Sequence, residues 1–149
     1  MIWKPHVTVA AVVERDGRFL IVEEEDADGR VVYNQPAGHL DEGESLADAV
    51  VREALEEAAW HFKPDGVLGI YRWTNPDTRI TYLRVCFRGA CDVHEPHRAL
   101  DKDILRVCWM TRAEIENLKP QLRSPLVLRC VDDYLAGKRY PLALLADLA

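Results

Sequence analysis

The stretch Val7 to Val13, VTVAAVV, is nearly continuous in apolar residues and rich in valine. Such a run reads as a strand buried inside a sheet, without the alternation of a half-exposed one. Asp16-Gly17 behind it is a hairpin signal, and Phe19 to Val22 reads as the return strand. The acidic run Glu23-Glu24-Glu25-Asp26 is expected to be a solvated strand end. A turn at Asp28-Gly29 and a short strand at Val31 to Tyr33 follow.

Asn34 to Glu44 contains Pro36, Gly38 and Gly43 and is expected to be a loop. Ser45, with Asp48 three residues on, resembles a capping box. It opens a helix from about Leu46 to about Trp60, and Pro64 and Gly66 end any continuation. Val67 to Trp73 and Ile80 to Phe87 read as strands around the turn Asn75-Pro76-Asp77. A polar loop, Asp92 to Lys102, precedes a strand at Leu105 to Met110. Thr111 with Glu114 caps a short helix, and Ser124-Pro125 opens a last helix that Gly137 closes. Strands, helix, strands, helix: the order predicts an α/β fold with a mixed sheet. The length, 149 residues, suits one domain over 1–149.

With 19 basic and 25 acidic residues the formal charge is -6. That balance disfavours a general DNA-coating role, which needs a basic surface. It disfavours a polyphosphate substrate too, unless a divalent metal sits between protein and substrate. Cys86, Cys91, Cys108 and Cys130 form no CxxC pair and no zinc pattern, and are expected to be structural thiols in a reducing compartment. No run approaches the roughly 18 apolar residues of a membrane span, and the start of the chain lacks a signal h-region. Cytoplasm is the expected address.

The helix beginning at Leu46 carries the chemistry. Successive residues advance about 100° around a helix, so Glu57 lies about 40° to one side of Glu53 and Glu56 about 60° to the other. Ala47, Val50, Val51, Ala54 and Ala58 occupy much of the opposite side. An acidic cluster opposite an apolar stripe has an ordinary reading as a solvated face. Against it, like charges at i,i+4 destabilise a helix, and only Arg52 is near to neutralise them. Clustered carboxylates are hard oxygen ligands that suit Mg²⁺ or Mn²⁺. Pro36, Gly38 and Gly43 bend the preceding backbone and can aim a carbonyl at the same ion; turn geometry explains the glycines equally well. Glu44 is placed to pair with Arg52.

These residues resemble the Nudix box, G-x5-E-x7-R-E-U-x-E-E-x-G-U, with U a bulky apolar residue. Gly38, Glu44, Arg52, Glu53, Glu56 and Glu57 fall at its spacing. Ala59 stands where the box has glycine, which suggests that the helix runs on a little or exits differently, and Ala54 is small for the first U. The resemblance implies a Nudix-type α/β/α sandwich over nearly the whole chain. It implies that Glu53 and Glu57 bind the divalent metal, with Glu56 as a further ligand or base and the Ala37 carbonyl beside them. Gly38, Glu44 and Arg52 would support that cluster. The implied reaction is attack of water on phosphorus in a diphosphate linked to another moiety. KPHVTVA, NQPAGHL and LRSPLV are also similar to the bacterial NudJ phosphatase group, which implies nucleoside di- and triphosphates and thiamine-precursor pyrophosphates as substrates.

The family's late loop often supplies a general base, and Asp103 is the first choice there, ahead of Asp101 and Glu95. Arg84 and Arg72, with Arg79, are candidates for phosphate. Arg84, inside an apolar strand, must be paired somehow, through phosphate or through a structural ion pair. His39, in the box loop, is a further candidate to hydrogen-bond a phosphate, and Trp73 can stack on a base or pack in the core. The expected partner is a small phosphoanhydride, with no DNA and no membrane, for a monomer or homodimer. Two other readings stay open: a hydrolase of ADP-ribose-like dinucleotides or RNA 5′ ends, and a Nudix-fold binding module without catalysis.

Overall fold

The computed structural model describes residues 1–148; Ala149, the last residue of the expected domain, lies outside them. The apolar run becomes β1 (His6–Arg15), which turns through Asp16 and Gly17, φ 53 and 78, into β2 (Arg18–Glu25). Two left-handed residues are what a tight hairpin turn requires, and Asp-Gly meets that need with little strain. β1 pairs in parallel with β6 (Thr81–His94) and antiparallel with β4 (Ala37–His39). β6 in turn pairs antiparallel with β5 (Trp60–Thr74). β2 carries β3 (Val31–Asn34) on one side and β7 (Ile104–Thr111) on the other, both antiparallel. The result is a seven-stranded mixed sheet.

Both faces of β1 are buried, and alternation divides its side chains between two cores. Val9, Ala11 and Val13 pack with Leu20 and Val22 against Ala49, Val50, Ala54 and Ala58 of α1 (Leu46–Ala58). Ala10 and Val12 pack with Phe19 and Ile21 on the other side. There they meet Ile115 of α2 (Arg112–Asn117) and Val127, Cys130 and Val131 of α3 (Leu126–Leu135). Helices therefore cover both faces of the sheet, the α/β/α arrangement expected. No helix of the described residues is long and apolar enough to cross a membrane.

Four local expectations need correction. Residues 34–44 are not all loop, because β4 pairs with Thr8, Val9 and Ala10 of β1. β5 and β6 are longer than expected: Pro64 and Gly66 lie within β5, at one of its register shifts. A bulge tolerates proline where a regular ladder does not, and Gly89 opposite leaves room for the Lys63 carbonyl, which a β-carbon there would overlap. The acidic run is not a solvated strand end, since Glu24 is buried and Glu23 accepts from Tyr33 and Arg106.

The fourth correction concerns the end of α1. Ala59 does not prolong the helix; it takes the left-handed conformation itself, φ 59 and ψ 25, while its N–H donates to the Leu55 carbonyl. A β-carbon makes that conformation cost about 1–2 kcal/mol, part of which glycine would return as unfolded-chain entropy. Ala59→Gly is therefore expected to stabilise the protein by about 1 kcal/mol, raising Tm by roughly 3 °C. A thermal melt in which the variant is no more stable than the parent contradicts this account of the helix exit.

Candidate active site

Ser45 starts α1 by accepting a hydrogen bond from the Asp48 N–H. The helix lies along the sheet with Glu53 and Glu57 turned inward beside the apolar stripe, both less than a tenth exposed. The acidic side is thus not a solvated face. It packs against β4, and Gly38 is what permits the approach: a β-carbon there would overlap the Glu53 carboxylate. Gly38 has no left-handed φ; its task is close contact and not a turn.

Glu57 accepts from the Ala37 N–H at 2.9 Å. Arg52 is the hub of the cluster. Its Nε and Nη2 donate to the two oxygens of Glu44, at 3.0 and 2.6 Å, and Nη1 donates to Glu53 at 2.9 Å and Glu56 at 3.2 Å. Nη2 also reaches the His39 carbonyl, so the arginine ties helix, loop and β4 together.

The loop before β7 adds a further carboxylate. The Asp101 N–H donates to the Glu56 carbonyl at 3.0 Å, and the Glu95 N–H to that of Ala59, meeting acceptors that a helix end leaves free. So anchored, Asp101 offers an oxygen to Glu53 and Glu56, the three ligand atoms lying within 4.8 Å of one another. Asp103, the first choice from sequence, is not brought into this group; its carbonyl accepts from the Glu25 N–H on β2. The two aspartates lie two residues apart, and only the pinning to α1 distinguishes them.

Burial dominates the electrostatics. It pushes Glu57 up to about 9, against the Ala37 hydrogen bond, with the charges of Glu24, Glu53 and Asp101 adding to the rise. It lifts Glu53 to about 7, opposed by Arg52 and reinforced by Glu56 and Asp101. Crowded carboxylates that share a single arginine already bound to Glu44 lack positive charge. Hard oxygen donors in that state fit a divalent cation, which would hold them ionised.

The remaining candidates divide. Arg84 is buried and donates to Asn34 and Gln35 at 3.0 Å, with the Cys130 sulfur at 3.8 Å. It fixes the strand end that leads to β4. Two amide oxygens take its forked donors, and no carboxylate pairs with it among the described residues. Arg72 is exposed and alternates to the face opposite Tyr71 and Trp73, away from the cleft that Trp73 lines. His39 lies beside the cluster, with Nε2 at 3.0 Å from His6 Nδ1. Trp73 stacks on Tyr82, centroids 6.0 Å apart. Glu24 and Arg123, 2.7 Å apart, are a pair that the sequence reading missed; 99 positions separate them, and no local pattern announces it.

Comparisons with known proteins agree with this geometry. The NUDIX domain family model matches residues 4–129. Phosphatase NudJ of Escherichia coli is 39% identical over 145 residues, spanning 97% of this chain and 93% of that protein. The structure of a NUDIX hydrolase from Nitrosomonas europaea superposes with a TM-score of 0.96 at 46% identity, over 97% of this chain and 98% of that one. The NUDIX domain of Shewanella oneidensis NrtR, complexed with ADP ribose, shares the fold at TM-score 0.69 and 18% identity, over 91% and 90% of the two chains.

The contact at Gly38 yields a prediction. The Glu53 carboxylate is the far end of a flexible side chain, so Gly38→Ala is expected to displace it and leave the fold intact. A shift of about 1 Å in a reacting group costs on the order of a hundredfold in rate. We expect a loss of at least tenfold in kcat with a nearly unchanged circular-dichroism spectrum. Full activity in the variant would show that the close approach has no catalytic part.

Proposed function

The chain belongs to the NUDIX family, and from that premise we propose that it is a divalent-metal-dependent hydrolase of nucleoside di- and triphosphates and of thiamine-precursor pyrophosphates. Hydrolysis of phosphoanhydrides follows from the family and from the likeness to Phosphatase NudJ; the substrates and the metal are the proposal. The observation that carries it is the group Glu53, Glu56 and Asp101, whose carboxylate oxygens converge within 4.8 Å beside the buried Glu57.

Glu53, Glu57 and Glu56, with Asp101 and the Ala37 carbonyl, would hold Mg²⁺ or Mn²⁺. When bound, such a cation neutralises phosphoryl oxygens and lowers the pKa of water. The protein's own part is positional. Arg52, oriented by Glu44, keeps Glu53 and Glu56 aimed at one point. Gly38 lets β4 close over Glu53. Glu56 is the most open of the three α1 glutamates, with about a third of its side chain exposed. We assign it the proton released as a water oxygen bonds to phosphorus and the bridging P–O bond breaks. The departing phosphate leaves with the bond's electrons.

This reading also explains how an acidic protein takes an anionic substrate, since the cation lies between the two charges. With its thiols unpaired, we propose a cytoplasmic, single-domain enzyme. The test is a substrate panel with products identified, run with Mg²⁺, with a chelator, and with Mg²⁺ restored. Turnover is expected to vanish with the chelator and return with the metal. Glu53→Gln is expected to lose at least a hundredfold in kcat while folding normally. Metal-independent turnover, or near-normal hydrolysis by the variant, rules the proposal out.

A further inference from the structure

A second site feature lies on the far side of the sheet from α1. Trp73 on β5, the segment from Lys119 to Pro125 between α2 and α3, and Leu128 in the first turn of α3 border a cleft of about 570 Å³, within the range of small-molecule sites. Its walls are mixed: Trp73 and Leu128 stand beside Lys119, Arg123, Asp77 and Asp132. Arg129, also at the wall, is engaged by Asp133, and Asp132 by Arg112. Lys119 forms no ion pair among the described residues.

Arg123 is held with unusual care for an exposed arginine. Its backbone N–H donates to the Tyr33 carbonyl at 2.8 Å, and the neighbouring Leu122 bridges to Tyr33 in parallel, so β3 anchors the loop. Its Nη1 donates to Glu24 at 2.7 Å. Glu24 is buried at the end of β2, while about half of the arginine side chain stays open. The other guanidinium donors have no acceptor among the described residues. Arg123 therefore has one donor spent on orientation and the rest free at the cleft.

The same strand end leads on to the carboxylate cluster: Tyr33, which holds the Arg123 backbone, lies four residues before Ala37, whose N–H donates to Glu57. A planar, always charged fork at the junction of a cleft with an aromatic wall and the carboxylate cluster matches phosphate oxygens. Cleft, arginine and carboxylates then follow the order of organic group, phosphate and reacting phosphate in a phosphoanhydride.

Resting on the function proposed above, we propose that Arg123 is a substrate-binding residue that takes a phosphate of the phosphoanhydride, that Glu24 positions it, and that the cleft beside Trp73 receives the substrate's planar organic group. Arg123→Ala alone leaves Glu24 buried without a partner, so instability would obscure the result. Two better variants are Arg123→Lys, which keeps the charge and loses the fork, and the double variant Arg123→Ala with Glu24→Gln, which removes the stranded carboxylate. Steady-state hydrolysis of a nucleoside triphosphate gives KM and kcat. Calorimetric titration with its non-hydrolysable β,γ-imido analogue and Mg²⁺ gives Kd. The double variant is expected to raise KM and Kd tenfold or more with kcat within threefold, and Arg123→Lys to fall between. Unchanged KM and Kd in both variants, whatever their thermal stability, would overturn the assignment and leave a purely structural ion pair. If the wild type hydrolyses nothing yet binds the analogue with affinity that depends on Arg123, the proposed function fails and the assignment of Arg123 stands.

Discussion

Carboxylates brought within a few ångströms of one another, and partly withdrawn from water, repel unless positive charge is placed among them. Glu53 and Glu56 meet that condition, with the exposed Asp101 brought against them and the buried Glu57 beside them, and Arg52 supplies the only contacting cation among the described residues. Much of the surrounding structure serves this arrangement. Glu44 takes up two of the arginine's nitrogens. β4 contributes Gly38, whose missing side chain makes space for Glu53, and Ala37, whose N–H faces Glu57. The last turn of α1 holds the Asp101 loop through the Glu56 carbonyl. A cluster assembled against its own repulsion costs stability, and it has a physical purpose once a divalent cation completes it.

The sheet separates the two tasks that the proposed chemistry requires. One face carries α1 and its carboxylates. The other carries α2, α3 and the cleft beside Trp73. They meet where β2 ends and β3 leads through Asn34 and Gln35 into β4. Arg84 stabilises that corner from inside by binding both amides, and Arg123 with Glu24 occupies it from outside. The two arginines show why a charge at a strand end carries no fixed meaning. One is buried with its fork bound to two amides, and the other is half open with donors to spare.

Several features were legible in the sequence because they are periodic or local. The valine-rich run, the Asp-Gly hairpin, the Ser45 cap and the six box positions each depend on spacing within a few residues or a few helical turns. Those that escaped depend on partners far along the chain. β4 exists only because β1 is there to pair with it. Pro64 and Gly66 looked like breakers, since a bulge opposite Gly89 is a tertiary event. Asp101 and Asp103 are indistinguishable until one backbone N–H meets the end of α1. Ala59 shows the converse error: a missing glycine does not move a helix end when the packing of α1 outweighs a local strain of about 1–2 kcal/mol.

The account stands or falls on whether this carboxylate group binds a divalent cation. Titration of the protein with Mn²⁺, following free ion by electron paramagnetic resonance, measures that directly and without reference to any substrate. The account predicts saturable binding that Asp101→Asn weakens at least tenfold and Asp103→Asn leaves unchanged. Equal affinity in all three proteins, or no saturable binding to the parent, would contradict it.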